Sequence, residues 1–352
     1  MKSLVYHGKH DIRCEEVADP VISDPGSAII KIRMCGICGS DLHPYHTEMG
    51  YSFCVGHEAV GEVVEVGSTV KRFKIGDRVL LPGSLSCGLC EPCLQGRVML
   101  CNNHPFPRVY GQGFPGIGGC QAEAIETPLA DSNLYHLPEG LSDELGIMLT
   151  DNLATAWQCA KKGRVGPGST VAVIGLGPVG LQCVMSAFCF GAERVFAVDL
   201  LEYRRLAAVK LGAENVPSKN AAQHIVDATA GLGVDVVLDT AGSPATLDLA
   251  LEIARKGGII SIVGLPEVMS TPFPVLTALT KNLEITFVTC SVQAQLPELF
   301  SALDSGQLNA NRVKDLITHR FSLVEGSRAY ELFDARSDGV TKVVLTTGDM
   351  AG

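Results

Sequence analysis

Four closely spaced cysteines constrain this chain more than any other feature: Cys87, Cys90, Cys93 and Cys101. Four thiolates so close together favour a tetrahedral metal site, and sulfur coordination of this kind suits Zn²⁺. An iron–sulfur cluster and a metal-free segment are the alternatives, although bacterial ferredoxins place their fourth cysteine three residues after the third and before a proline. Here the gap is seven residues and Asn102 follows. Because four protein ligands leave no position for a substrate, we predict a structural role.

Length and composition exclude several classes of protein. The chain has 352 residues, 46% hydrophobic and 19% charged, which predicts a globular protein of two domains. Its net charge is −10 and it has no basic tract, so we expect no nucleic-acid partner. Thirteen cysteines, an odd number without a secretory signal, favour the cytoplasm over a disulfide framework. The uncharged stretch 165–192 is long enough for a membrane span, but its glycines and prolines predict a strand, a turn and a helix instead.

The hydrophobic pattern changes near residue 151. Before it, short β-like runs alternate with Gly and Pro turns, which predicts a compact, mostly β domain. After it, strands and helices alternate, and this predicts right-handed βαβ units in an open parallel sheet of the α/β class. The predicted strands are Val171–Ile174, Val195–Val198, Val234–Leu238 and Ile259–Val263, with a last one at Ile285–Thr289.

A glycine-rich turn follows the first of these strands and opens a helix. The first glycine permits a tight turn, the second lets the backbone approach a pyrophosphate, and the third lets helix and strand pack closely. Asp199 ends the next strand, where a carboxylate binds ribose hydroxyls and repels a 2′-phosphate, so NAD is favoured over NADP. Arg204 is a further candidate for cofactor binding, although a solvated helix surface is the ordinary place for such a residue. The loop candidates are Gly175, Gly177, Pro178, Val179 and Gly180.

Two other segments contain candidate metal ligands. Gly36–His43 contains Cys38, and a segment of spaced glycines from Gly56 to Val70 contains His57. A catalytic zinc needs about three protein ligands and one open position, so a carboxylate would have to come from elsewhere in the chain. From spacing alone a buried core cysteine and a buried polar histidine are equally acceptable explanations.

Taken together, these motifs resemble the zinc-dependent medium-chain alcohol dehydrogenase family. The resemblance rests on the GHE segment with its spaced glycines, the GICGSD segment, the four cysteines and the GLGPVG turn, which occur in the family's order over nearly the whole chain. It implies a GroES-like, β-rich catalytic domain at residues 1–153 and 295–352, with a zinc-binding lobe at 84–104. It also implies a Rossmann NAD-binding domain at residues 154–294.

The resemblance implies roles for further residues. Cys38, His57 and Asp151 match catalytic zinc ligands, and a helix N-cap is the alternative role of Asp151. Glu58 matches a carboxylate that some members bring onto the metal. The remaining implied roles are proton relay for Ser40 and His43, a nicotinamide contact for Thr155, and a pyrophosphate contact for Lys342.

The implied activity is reversible hydride transfer between a primary or secondary alcohol and NAD(H), with two zinc ions per chain. The resemblance also implies a homo-oligomer, for which a tetramer is favoured and a dimer is the alternative. Polyol- or threonine-type members of the superfamily are alternatives. So are formaldehyde-dehydrogenase-like members, which the stretch Pro128–Asn133 resembles. Zinc-free quinone-reductase chemistry conflicts with the cysteines. A non-catalytic NAD-binding regulator or structural protein is the alternative of another class.

Overall fold

The computed structural model describes residues 1–104, 108–266, 268 and 270–348. The chain forms two compact units. The first unit comprises Met1–Asp151, Ser291–Pro297 and Val313–Gly352, and the second comprises Asn152–Cys290 and Glu298–Arg312. The sequence had predicted that everything after residue 294 returns to the catalytic domain. Glu298 instead binds Trp157 and Lys161 of the second unit, so the segment that follows it groups there.

The first unit is rich in short strands. Turn-forming residues such as Gly67, Gly76 and Pro82 separate them, as the sequence predicted. Its first ten strands are β1 (Lys2–Gly8), β2 (Asp11–Glu16), β3 (Ala28–Ile37), β4 (Phe53–Cys54), β5 (Ala59–Val66), β6 (Arg78–Leu81), β7 (Ser84–Leu85), β8 (Arg108–Val109), β9 (Ala124–Thr127) and β10 (Tyr135–His136).

The second unit is built on a parallel sheet. Its strands are β11 (Thr170–Ile174), β12 (Arg194–Val198), β13 (Glu214–Asn215), β14 (Val234–Asp239), β15 (Ala254–Ile262) and β16 (Glu284–Phe287). In the described residues they run in the order β13-β12-β11-β14-β15-β16, all parallel. This is the doubly wound arrangement in which strand order reverses beside the first strand, here between β11 and β14. The central strands are apolar and buried because helices cover both faces.

Two late strands complete the first unit: β17 (Ile317–Ser322) and β18 (Lys342–Thr346). The main sheet of that unit has the order β10-β6-β5-β3-β18-β17, and β9 also pairs with β3. β18 runs antiparallel to β3, with Val343 opposite Ile37, and parallel to β17. Strand β3 is therefore central, and its carboxyl end leads directly into Cys38.

The helices are mostly short. They are α1 (Leu42–His46), α2 (Glu91–Leu94), α3 (Ala130–Asn133), α4 (Asp143–Leu149), α5 (Asn152–Lys162), α6 (Pro178–Cys189), α7 (Glu202–Lys210), α8 (Ala221–Ala228), α9 (Pro244–Ile253), α10 (Val275–Lys281), α11 (Val292–Asp304), α12 (Ala310–Lys314) and α13 (Gly326–Ala335). The uncharged stretch 165–192 contains β11 and α6, as predicted. Within the described residues, every helix is too short or too polar to cross a membrane.

Candidate catalytic metal centre and cofactor loop

Four potential metal ligands converge in the first unit. One donor atom from each of Cys38, His57, Glu58 and Asp151 lies within 4.8 Å of the others. The Cys38 Sγ and Asp151 Oδ2 atoms are 3.3 Å apart, and His57 Nε2 is 3.5 Å from the same carboxylate oxygen. Cys38 and His57 are buried, Glu58 is fully buried and Asp151 is half-buried. Residues more than 100 positions apart in sequence thus form one site.

Local structure explains why these donors meet. Cys38 directly follows β3 and begins a 3-10 turn at Gly39–Asp41. His57 and Glu58 lie just before β5, which pairs with β3, and Asp151 follows α4. The pairing of β3 with β5 therefore brings Cys38 and His57 to the same end of the sheet.

Asp41 holds the other side of the site, and the sequence analysis assigned it no role. Its Oδ2 accepts a hydrogen bond of 2.9 Å from the Cys38 backbone N–H. Its Oδ1 lies 2.9 Å from His57 Nδ1, close enough for an ion pair although the ring N–H does not align as a hydrogen bond. A carboxylate behind a ligating imidazole orients the ring and directs the other nitrogen at the metal. The sequence signal that could have identified Asp41 was its position within the GICGSD segment.

The charges at this site fit a cation. Burial raises the pKa of Cys38 and the pKa of Glu58. Burial opposes protonation of His57, yet the nearby Asp41 charge and the hydrogen bond to Asp151 raise the pKa of His57 well above 6.5. An extra proton is thus retained where anionic groups cluster. Sulfur, imidazole and carboxylate donors around one point are a zinc-type ligand set, so the residues present fit that ion.

Lys342 lies in the first unit beside Glu58. The pyrophosphate contact that the resemblance implies for it stays a prediction, and its side chain is 0% exposed. Its Nζ donates a hydrogen bond of 3.0 Å to the Ile37 carbonyl and forms an ion pair with Glu58 Oε2. A lysine almost never stays buried without an anionic partner, and Glu58 is that partner. Lys342 therefore compensates the charge of the Glu58 carboxylate.

The residues predicted to relay a proton lie next to these ligands in sequence. Ser40 is in the 3-10 turn, and its Oγ is 3.3 Å from His57 Nε2, so the hydroxyl reaches the ligand cluster. His43 lies one helical turn further on, in α1, and is half-buried. A proton path from Ser40 through His43 stays a prediction.

The four-cysteine segment forms a second cluster of the first unit. One sulfur from each of Cys87, Cys90, Cys93 and Cys101 lies within 4.8 Å of the others, and the Cys90–Cys93 Sγ distance is 3.3 Å. The backbone N–H of Leu89 lowers the pKa of Cys87 to about 6, whereas burial raises the pKa of Cys93 to about 12. Four adjacent thiols cannot all ionise without a cation, and all-sulfur donors match a structural Zn²⁺ site.

The glycine-rich turn lies in the second unit, between β11 and α6. Gly175 has φ +84°, which favours glycine, and a Cβ on Gly180 would overlap the Gly175 carbonyl oxygen. A Cβ on Gly177, in contrast, would meet only Arg204 Nη1, at 3.8 Å. Space in front of Gly177 at a helix N-terminus is what a pyrophosphate requires, so the turn fits a dinucleotide.

Asp199 and Arg204 flank this turn. Asp199 follows β12, and its two carboxylate oxygens accept hydrogen bonds of 2.7 Å and 2.8 Å from the N–H groups of Leu176 and Leu201. The Arg204 guanidinium is 3.9 Å from that carboxylate and only 12% exposed, so it is not the solvated helix residue that is usual at such a position. Thr155, the predicted nicotinamide contact, is buried in α5.

Comparison with known proteins identifies the family. The alcohol dehydrogenase GroES-like domain matches residues 24–139, and the zinc-binding dehydrogenase domain matches residues 178–305. The chain belongs to the zinc-dependent alcohol dehydrogenases, in the medium-chain dehydrogenase/reductase family. Within this family it is an oxidoreductase with a GroES-like and a Rossmann fold, and its cofactors are zinc and NAD(H).

Relatives cover almost all of the chain. A probable zinc-binding alcohol dehydrogenase of Mycobacterium tuberculosis is 38% identical over 96% of this chain and 86% of its own length. The sorbitol dehydrogenase of Bacillus subtilis is 34% identical over 94% of this chain and 93% of its own. Among solved structures, an alcohol dehydrogenase from Thermus sp. ATN1 has a TM-score of 0.92 at 35% identity, covering 99% of this chain and 100% of that one.

Proposed function

We propose that this alcohol dehydrogenase catalyses the reversible oxidation of a primary or secondary alcohol to an aldehyde or ketone with NAD as hydride acceptor. The observation that carries the proposal is the convergence of Cys38, His57 and Asp151 at one buried point, beside a second carboxylate, Glu58, and the Ser40 hydroxyl. The first unit would hold the catalytic centre, and the second would bind the cofactor.

Cys38, His57 and Asp151 would hold the catalytic zinc. Zinc bound there supplies a Lewis acid for the substrate oxygen, and NAD supplies the hydride acceptor. A thiolate, a carboxylate and a neutral imidazole together balance a divalent charge. Asp41 fixes the His57 ring so that Nε2 faces the other donors.

The proton of the alcohol would leave through Ser40. Its hydroxyl is within 3.3 Å of His57 Nε2, so it reaches the region where the substrate oxygen binds. His43 would pass the proton to solvent, because imidazole exchanges protons readily near neutral pH. Hydride leaves the carbinol carbon for NAD, and one proton leaves the hydroxyl, so the reaction balances as alcohol plus NAD⁺ giving carbonyl, NADH and H⁺.

Glu58 would act as a resting ligand. Its carboxylate belongs to the donor cluster and is also bound to Lys342. Lys342 therefore compensates the Glu58 charge whenever that carboxylate is withdrawn from the metal. Cys87, Cys90, Cys93 and Cys101 would hold the second, structural zinc.

The cofactor pyrophosphate would bind to the glycine-rich turn and the first turn of α6. The residues concerned are Gly175, Gly177, Pro178, Val179 and Gly180. Asp199 would bind the adenosine ribose, with Arg204 beside it. Thr155 would contact the nicotinamide. This arrangement supports NAD over NADP because the Asp199 carboxylate would repel the 2′-phosphate of NADP.

The protein would act in the cytoplasm as a homotetramer. All thirteen cysteines are unlinked by disulfides in the described residues, which agrees with a reducing compartment. Strand β16 ends the parallel sheet, and beside it Leu276, Leu279 and Phe287 are more than 70% exposed. Large exposed apolar side chains at an unpaired sheet edge favour burial against another chain.

Substitution of Cys38 tests the catalytic assignment. We expect Cys38→Ser to abolish NADH production from every alcohol, followed at 340 nm, and to lower the metal content by about one zinc ion per chain. Cys14→Ser, a half-buried cysteine of β2 outside both clusters, is the control and should keep the wild-type metal content and full activity. Normal turnover by Cys38→Ser would refute the assignment.

A polyol dehydrogenase is the second candidate function. The similarity to Bacillus subtilis sorbitol dehydrogenase over 94% of the chain favours it. A panel of simple alcohols and of polyols, assayed in both directions, separates the two. If neither class is turned over by zinc-replete protein, a non-catalytic NAD-binding role remains.

A further inference from the structure

A third group of metal-type donors lies on the surface of the first unit, outside both zinc clusters. It consists of His10, His46 and Asp334, with one donor atom of each within 4.8 Å of the others. His46 Nε2 is 2.7 Å from Asp334 Oδ1, and His10 Nδ1 is 4.0 Å from Asp334 Oδ2. The proposed reaction uses none of these residues.

We propose that His10, His46 and Asp334 bind a third divalent transition-metal ion, Zn²⁺ or an ion of similar preference. Two imidazoles and one carboxylate are a common ligand set for such ions. Both histidines are exposed and Asp334 is half-buried, so an ion would enter from solvent and keep water in its remaining positions.

The two histidines are held in place before any ion binds. His10 lies in the turn between β1 and β2 with φ +59°, a conformation that non-glycine residues seldom adopt. Its backbone N–H donates a hydrogen bond of 2.7 Å to the carbonyl of Tyr45, and its ring meets the Tyr45 ring edge-on at 4.9 Å. Tyr45 is buried and precedes His46, and the two imidazole rings are 5.2 Å apart. Binding of the ion would therefore restrict few further conformations of the two histidine side chains.

The third ligand comes from a separate element that is also fixed. Asp334 lies in α13, whose Ser327 Oγ donates a hydrogen bond of 2.6 Å to the Ile12 carbonyl on β2. Asp11 and Glu331 add negative charge around Tyr45, which favours a cation at this surface. The ordinary alternative is a solvent-exposed ion pair between His46 and Asp334, which contributes little to stability.

An ion at this position would connect three elements: the β1–β2 turn, α1 and α13. The helix α1 has only five residues and also contains His43, the proposed proton relay. The third ion would therefore restrain the helix on which the relay depends. This consequence rests on the proposed function, whereas binding of the ion does not.

Metal content tests the proposal without reference to activity. Tag-free protein is dialysed against buffered Zn²⁺, and zinc per chain is measured by mass spectrometry. We expect a third ion in the wild type and its loss in His46→Ala, with affinity at that site reduced at least ~10-fold. Asp334→Asn keeps the side-chain shape and should have the same effect. His7→Ala, which removes an exposed histidine of β1 outside the cluster, should retain the third ion.

Amide hydrogen exchange gives a second readout. Zinc added to protein that already holds two ions should slow exchange in residues 42–47 of the wild type and not in His46→Ala. A wild type that binds only two ions, or a third ion that persists in both His46→Ala and Asp334→Asn, would overturn the proposal. Loss of activity in Cys38→Ser bears on the proposed function alone, so the two failures are distinguishable.

Discussion

At the scale of single residues, the metal site depends on charges that are balanced in pairs. Asp41 lies behind His57, and Lys342 lies behind Glu58. Each pair is buried, and a buried charge without its partner is strongly unfavourable. The ligands are therefore held in position by a second layer of residues from β18 and from the turn after β3.

The first prediction at this scale concerns cofactor choice. Asp199→Gly removes the carboxylate that would bind the ribose and repel a 2′-phosphate. We expect the ratio of kcat/KM for NAD to that for NADP to fall at least ~10-fold, corresponding to ~1.4 kcal/mol. Asp248→Asn, an exposed aspartate of α9, is the matched control and should leave the ratio unchanged. An unaltered ratio in Asp199→Gly would mean that the ribose is recognised elsewhere.

Spacing alone left the roles of Cys38 and His57 open, and the family resemblance added Glu58 and Asp151, which the structure brings to the same site. The contact of Lys342 with Glu58 was not predicted because it depends on where β18 enters the sheet, a pairing between residues about 300 positions apart. Asp41 was within a recognised segment, yet its contact with His57 depends on the fold of a 3-10 turn. Partners that arise from long-range packing leave no local pattern.

At the scale of elements, two glycines in the turn between β11 and α6 are expected to have different roles. Gly180 is required for packing, and Gly177 leaves space for a ligand. In Gly180→Ala the new Cβ would overlap the Gly175 carbonyl oxygen, so we expect a loss of several kcal/mol in stability, of the order seen for overpacking. Gly177→Ala has room, so its stability should change by less than ~1 kcal/mol while NADH binds at least ~10-fold more weakly.

Urea unfolding and NADH fluorescence titration of both variants check this pair of expectations. Equal loss of stability in the two proteins would show that Gly177 is required by the fold and would remove its support for a pyrophosphate site. Gly166→Ala, in the turn before β11, controls for the general cost of replacing a glycine, because its φ is not in the left-handed region and its added Cβ would meet only the Arg164 carbonyl oxygen, at 4.0 Å.

Helix α4 provides a prediction about pH. Asp143 in its first turn binds Arg33 of β3 and Arg78 of β6. Burial opposes ionisation, yet the two guanidinium groups lower the pKa of Asp143 below 3.8. A depressed pKa in the folded state contributes stability that is present above pH 3.8 and disappears as pH falls through the folded value.

Asp143→Asn should therefore be less stable than the wild type by ~1 kcal/mol near pH 7. The difference between the two proteins should stay constant down to about pH 4 and shrink below it. Urea unfolding at several pH values measures it. A difference that grows on acidification would contradict the sign of the pKa shift. The helix itself is capped by Ser142, whose Oγ accepts a hydrogen bond from the Leu145 N–H, a local signal that the sequence analysis did not use.

At the scale of the whole molecule, the exposed apolar edge of the second unit predicts assembly. Leu279 and Phe287 are 71% and 77% exposed, on α10 and on the terminal strand β16. We expect Leu279→Glu with Phe287→Glu to dissociate the oligomer, because two charges cannot be buried without partners. Sedimentation velocity should show about four chains per particle for the wild type and fewer for the double variant.

Leu206→Glu is the control for that experiment, since Leu206 is 47% exposed on α7, which packs against β12 and β13 at the opposite end of the sheet. A wild type that sediments as a monomer would refute the assembly.

Composition and periodicity predicted two domains and the parallel sheet, whose strands alternate regularly with helices. The family resemblance assigned residues 295–352 to the catalytic domain, whereas Glu298–Arg312 groups with the second unit, where Glu298 binds Trp157 and Lys161 about 140 residues earlier in the chain.

The central position of β18 also has a consequence for biosynthesis. Strand β3 is made early, but its neighbour in the sheet is formed by residues 342–346. During translation the β-rich unit therefore waits with the last residues of β3, Met34–Ile37, uncovered on one side and with Glu58 lacking its lysine. Most of the second unit can already fold in that time. Such late closure lengthens the time for which apolar surface is open to aggregation. Nascent chains arrested before residue 342 should therefore depend on chaperones more than chains released after it.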